Sequence, residues 1–112
     1  MMVSKMAQRL KTRRQFVTLT NQGRKVFGTG MMAQYLPNHL DAARIGFTVT
    51  KKLGDAVARN RIRRRLREAA RLSADLSALT GFDIAIIARR ESINMPFVQM
   101  QAEFEKIIRQ IK

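Results

Sequence analysis

The sequence predicts an α+β fold, a single-domain α/β sandwich in which one mixed sheet of about four strands carries three helices. Three observations predict it. Residues 43–50 alternate apolar and polar side chains, as a half-buried strand does. Residues 82–88, FDIAIIA, form an unbroken apolar run of strand length. Residues 55–71 and 97–111 instead repeat apolar side chains at helical spacing.

At 112 residues the chain, 1–112, reads as one domain, with 1–8 (MMVSKMAQ) a patternless and flexible end. From Arg9 to about Thr20, the apolar positions Leu10, Phe16, Val17 and Leu19 suit a short amphipathic helix that stops near Gly23. Residues 26–36 read as extended, with Gly28 and Gly30 marking a bulge or bend. Pro37 and Asn38 open a connection that runs through Asp41. In the strand from Ala43 to Thr50, Ile45, Phe47 and Val49 point one way, and Arg44, Thr48 and Thr50 the other. One face of the sheet is thus buried, and the opposite face is polar.

A helix then starts at Asp55, a good N-cap after Gly54. At 100° per residue, Ala58, Ile62, Leu66 and Ala69 make a core stripe. Asn60, Arg64, Arg67 and Arg71 lie opposite, flanked by Arg61 and Arg63. Val57 misses the stripe, so the first turn is expected to be covered by something else. The run at 82–88 reads as a central strand covered on both faces. Pro96 sits where a first helical turn accepts it, and Phe97, Met100, Phe104, Ile107, Ile108 and Ile111 follow on one stripe.

The charge bounds the function. Net charge is +14, and all of it falls on residues 1–71, which hold 17 of the 22 basic residues and 3 of the 8 acids. Nine Lys or Arg lie between Lys51 and Arg71 alone, against Asp55 and Glu68. A surface built for solubility mixes signs at i,i+4 spacing, and this one does not. Such an excess repels itself in the folded state and calls for a polyanion. Arg outnumbers Lys by 15 to 7, which favours bidentate phosphate pairing and hence nucleic acid. The zero cysteines exclude disulfides and thiolate metal sites. No apolar run approaches a membrane span and no secretory segment opens the chain, so a cytoplasmic location is expected. His39, the single histidine, reads as a loop residue, and Asp55, Asp75, Asp83, Glu91, Glu103 and Glu105 are too scattered to form a metal cage. No nucleophile, P-loop or zinc motif appears.

Arg59, Asn60, Arg61, Arg63, Arg64, Arg65, Arg67 and Arg71 are therefore candidate nucleic-acid-binding residues. The segment KKLGDAVARNRIRRRLREA, with its central Arg59-Asn60-Arg61, resembles the signature of the bacterial ribonuclease P protein subunit. The similarity extends to RLK and Phe16 at 9–16, Gly23, RIGFTVTKK at 44–52 and GFDIAIIAR at 81–89. The resemblance implies an accessory subunit with no catalytic residues of its own, whose partners are the catalytic ribonuclease P RNA and precursor tRNA. It implies that Mg2+ is held mainly by that RNA and that neither a membrane nor an obligate protein partner is involved. The basic helix would face the catalytic RNA. Phe16, Thr48, Thr50, Lys51 and Lys52 would line a cleft for the 5′ leader of precursor tRNA, with Lys51 and Lys52 ending the strand. It also implies a left-handed βαβ crossover through the basic helix, against the general preference.

Two positions depart from the family pattern. Thr20 stands where many relatives carry a second aromatic, and the first strand reads MMAQY, which leaves open whether Tyr35 faces the cleft. Phe16 is equally consistent with a base-stacking residue and a core residue. Two other functions compete: a different RNA-binding module, such as a ribosomal protein, and a basic surface for an anionic membrane or an acidic protein.

Overall fold

Residues 7–9, 13–73 and 79–111 are described by the structure, a computed structural model. In chain order the elements are β1 (Ala7–Arg9), α1 (Arg13–Gln22), β2 (Arg24–Phe27), β3 (Met31–Pro37), β4 (Ala43–Thr48), α2 (Ala56–Leu72), β5 (Phe82–Ala88) and α3 (Phe97–Arg109). Single 3-10 turns precede α2 (Lys51–Leu53) and α3 (Arg90–Ile93). The three expected helices and the mixed sheet are all present.

The strands lie in the order β1-β4-β5-β3-β2. β1, β4 and β5 run parallel, while β3 is antiparallel to both β5 and β2. The fifth strand, β1, takes in Ala7 and Gln8, expected to be loose, and Arg9, expected to open the first helix. Three residues carry no periodicity of their own, and pairing of Ala7 to Ala43 and Arg9 to Ile45 is what makes them a strand. The first helix accordingly begins four residues later than expected, and Leu10 lies outside the described residues, as do residues 1–6. Lys51 and Lys52 do not end a strand either: β4 stops at Thr48, and both lysines sit in the 3-10 turn.

Alternation sorts the strands into two faces. Toward α2 and α3 point Met31, Ala33 and Tyr35 of β3, Ile45 of β4 with Val49 just beyond it, and Ile84 and Ile86 of β5. They meet Ile62, Leu66 and Ala69 of α2 and Met100, Phe104, Ile107 and Ile108 of α3 in one dry core. Tyr35 belongs to this core and not to the other face; its ring meets Phe82 edge-on at 5.9 Å. Val57, at 78% exposed, is covered by nothing among the described residues.

On the opposite face α1 lays Leu19 against Ala85, with Phe16 and Leu36 packed around them. Val17, expected on the apolar face, is turned to solvent because it lies 100° from Phe16 and 200° from Leu19 on the wheel. Gly28 and Gly30 do interrupt the extended run, forming the β2–β3 connection. There the segment before α3 comes so close that a Cβ on Gly30 would stand 2.5 Å from the Met95 side chain. The Glu103 carboxylate accepts from the N–H groups of Thr29 (3.0 Å) and Gly30 (2.7 Å), fastening the hairpin tip to α3.

Candidate RNA interface

The basic helix is built as its wheel predicts. Asp55 caps it, accepting from Ala58 N–H at 2.9 Å, and Gly54, at φ +136°, makes the sharp entry that other residues resist. Ile62, Leu66, Ala69 and Ala70 are buried, while Asn60, Arg61, Arg64, Arg67 and Arg71 are exposed. Anchoring one stripe in the core fixes the azimuth of the other, so the outward guanidinium groups form a rigidly mounted row.

Four candidates are partly engaged within the protein. Arg65 is half-buried and donates to the Met95 carbonyl, which ties α2 to the segment before α3. Arg63 donates to Asn60 Oδ1 at 2.8 Å, so the side-chain amide of Asn60 keeps its N–H donors for another partner. Arg71 pairs with Glu68 through two bonds of 3.0 and 2.5 Å, which lowers the Glu68 pKa and raises that of Arg71. Arg59 is half-buried, and its Nε is buried with no hydrogen-bond partner. Among the described residues Arg61, Arg64 and Arg67 have no carboxylate partner. An open hollow of about 300 Å³, lined by Arg64, Arg65, Glu68 and Phe97, lies beside this row.

The second surface is the sheet face that α1 only partly covers. Across it, ladder pairing aligns side chains in lateral rows. Nearest the connections, Arg44 sits beside Asp83. They form a two-pronged ion pair with both bonds at 2.7 Å, and Asn38 Nδ2 adds a third bond of 2.9 Å to Asp83 Oδ1. Donating to the Asp83 carboxylate raises the Arg44 pKa above its ordinary value. The next row, Gly46, Ala85 and Gln34, is buried, with Leu19 of α1 against Ala85. One step further, Thr48, Ile87, Met32 and Phe27 form a row across β4, β5, β3 and β2. Thr48, Ile87 and Met32 are half-exposed there and Phe27 is 63% exposed. Thr50, Lys51 and Lys52 are exposed just past the β4 end of that row.

The structure thus places Thr48 on the open face and Phe16 at the margin of α1, half-buried over the Leu19–Ala85 contact. Sequence reasoning missed Ile87, Met32 and Phe27. Ile87 was hidden inside an apolar run read as uniformly buried, and Phe27 was hidden by register, since nothing local aligns it with Met32.

Glu105 accepts from the Ser73 hydroxyl at 2.5 Å, and His39 is an exposed loop residue at φ +59°. Among the described residues no three His, Cys, Asp or Glu side chains converge on a metal position, and no helix is long and apolar enough to cross a membrane. With Ile62 and Leu66 committed to the core, α2 has no apolar stripe to insert into lipid.

Comparison with known proteins is consistent with this geometry. The Ribonuclease P family matches residues 5–112. The ribonuclease P protein component of Gluconacetobacter diazotrophicus is 43% identical over 104 residues, covering 92% of this chain and 90% of that one. That of Symbiobacterium thermophilum is 38% identical over 104 residues, with the same coverage. Among solved structures, the RNase P protein of Thermotoga maritima superposes with a TM-score of 0.81 at 25% identity, covering 94% of this chain and 98% of that one. The RNase P protein of Staphylococcus aureus gives 0.80 at 31% identity, covering 90% and 92%.

Proposed function

The chain belongs to the ribonuclease P protein family, and from that premise we propose that it binds two RNAs through two separate surfaces. The outward face of α2 holds the catalytic RNA of ribonuclease P. The open sheet face beside α1 receives the 5′ leader of precursor tRNA. Removal of that leader is the endonucleolytic step the assembly performs, in the cytoplasm, with the chemistry carried by the RNA subunit.

The observation that carries this reading is the row Arg61, Arg64 and Arg67, mounted on a buried stripe and lacking carboxylate partners among the described residues. A phosphate backbone supplies the missing charge. Asn60, with its amide donors free, suits a sugar or phosphate oxygen. Arg63 supports Asn60, and Arg65 and Arg71 act at the margins of this row. On the second surface, Lys51 and Lys52 attract the leader backbone, Thr48 and Thr50 offer hydroxyl groups, and Phe16 offers the edge of an aromatic ring.

Mg2+ in this reading is held mainly by the RNA subunit; among the described residues Asp55 caps a helix, Asp83 and Glu68 pair with arginines and Glu103 holds the hairpin tip. The protein's contribution is to bind and orient.

Reconstitution tests the proposal. Adding the chain to its cognate catalytic RNA should accelerate leader removal from precursor tRNA at low magnesium. An absence of stimulation across all salt concentrations refutes it. Stimulation of another RNA process alone would favour a different RNA-binding module.

A further inference from the structure

Phe27 is the feature of the fold that the reading above leaves unused. It lies on β2, the edge strand of the sheet, where an exposed aromatic ring invites unwanted pairing and where charge is the usual safeguard. Its neighbours on the strand, Arg24 and Lys25, are exposed and supply that charge. Register puts Phe27 opposite Met32, Met32 opposite Ile87, and Ile87 opposite Thr48. The ring is therefore the outer end of a continuous half-exposed row, about 14 Å across at the usual interstrand spacing.

Each end of the row carries positive charge. Lys51 and Lys52 follow β4 at one end. At the other, Lys25 is exposed two residues before Phe27 on the same face of β2, and Arg89 is exposed after β5 with its Nη1 on the Gly28 carbonyl at 3.4 Å. Glu103 of α3 is held at the hairpin tip, where its carboxylate accepts from the N–H groups of Thr29 and Gly30. An apolar strip of this width with basic ends and a free ring at its edge fits a single RNA strand whose bases lie on the strip and whose phosphates reach the charges.

We propose that the leader crosses the whole sheet along Thr48, Ile87 and Met32 and that a leader base stacks on Phe27 at the β2 edge. The assignment rests on the leader-binding reading and extends it to a strand that the sequence motif does not include. It also predicts polarity of effect: Phe27 acts only on leaders long enough to reach β2, whereas Lys52 acts on short ones as well.

The test compares Phe27→Leu and Phe27→Tyr in the reconstituted holoenzyme, with precursor tRNAs carrying leaders of graded length and with mature tRNA. Phe27→Leu should weaken long-leader binding about 5- to 20-fold, leave mature tRNA unchanged and lose its effect as the leader is shortened. Phe27→Tyr, which keeps the ring, should bind as the parent does. Thermal midpoints should coincide, because the ring is largely in water. Equal losses on mature tRNA, a loss that tyrosine does not restore, or no loss at all would overturn the proposal. So would a shift from dimer to monomer in Phe27→Leu, which would assign the ring to self-association. If the parent holoenzyme binds precursor and mature tRNA equally, the leader reading itself fails. If the parent discriminates and Phe27→Leu discriminates equally well, only the role of Phe27 fails.

Discussion

Ile86 and Ile87 are adjacent on the central strand and face opposite ways. Ile86 is sealed against α2 and α3 at 0% exposure, whereas Ile87 looks onto the half-open face beside α1. Two helices close the first face with a dry core, while a single short helix covers part of the second and leaves a row of side chains in contact with water. The difference shows how one sheet divides its labour: stability is concentrated on one side, so the other is free to carry polar and half-exposed groups that a stability criterion alone would not select. The price is modest because the second face retains one strong anchor, the Arg44–Asp83 pair with Asn38.

The largest effect expected is on the closed face. Ile86→Ala should cost about 3–4 kcal/mol in denaturant unfolding, and Ile87→Ala about 1 kcal/mol. Equal costs would erase the distinction between the faces. Next comes the anchor of the open face. Asp83→Ala strands the Arg44 guanidinium and should destabilise the fold by about 2–3 kcal/mol, measured the same way; a loss below 0.5 kcal/mol, on the order of an ordinary surface change, would show that the pair only decorates the face.

A third expectation separates binding from stability. Replacing Arg64 and Arg67 together with Ala should leave the unfolding midpoint nearly unchanged. It should also weaken catalytic-RNA binding about ten- to a hundredfold and reduce the salt slope of log affinity by about 2. An unaltered slope would remove these two residues from the phosphate contacts. The smallest effect concerns Glu68. Its pKa is lowered by Arg71, so the pair's contribution is present above the unfolded carboxylate pKa and fades as pH falls through the folded value. Glu68→Gln should flatten the acid limb of the stability curve slightly and alter nothing at neutral pH beyond a small loss; an unchanged acid limb would show the pair to be inert.

Much of this division was legible before any coordinates. Alternation in β4 assigned Ile45, Phe47 and Val49 to the core and Thr48 to the open face, because a period of two leaves no choice of side. The wheel of α2 likewise separated Ile62 and Leu66 from Arg64 and Arg67. What stayed hidden depends on partners distant in sequence. β1 exists only through its pairing with β4. Arg65 turns inward to a carbonyl thirty residues away, which no helical wheel can show. The row ending at Phe27 appears only once three ladders are in register.

The placement of β5 has a consequence for how the molecule is made. β3 and β4 share no ladder with one another; each is joined to β5, the last strand to be synthesised. A nascent chain that has reached Gly81 therefore already holds the whole arginine-rich helix but has no central strand on which to seat Ile62 and Leu66. Hairpin β2–β3 waits longer still, since its tip is fastened by Arg89 after β5 and by Glu103 on α3. Biosynthesis thus completes the charge of the protein before its architecture. The cell meets an adhesive polycation first and a shaped RNA-binding surface only when the final helix arrives.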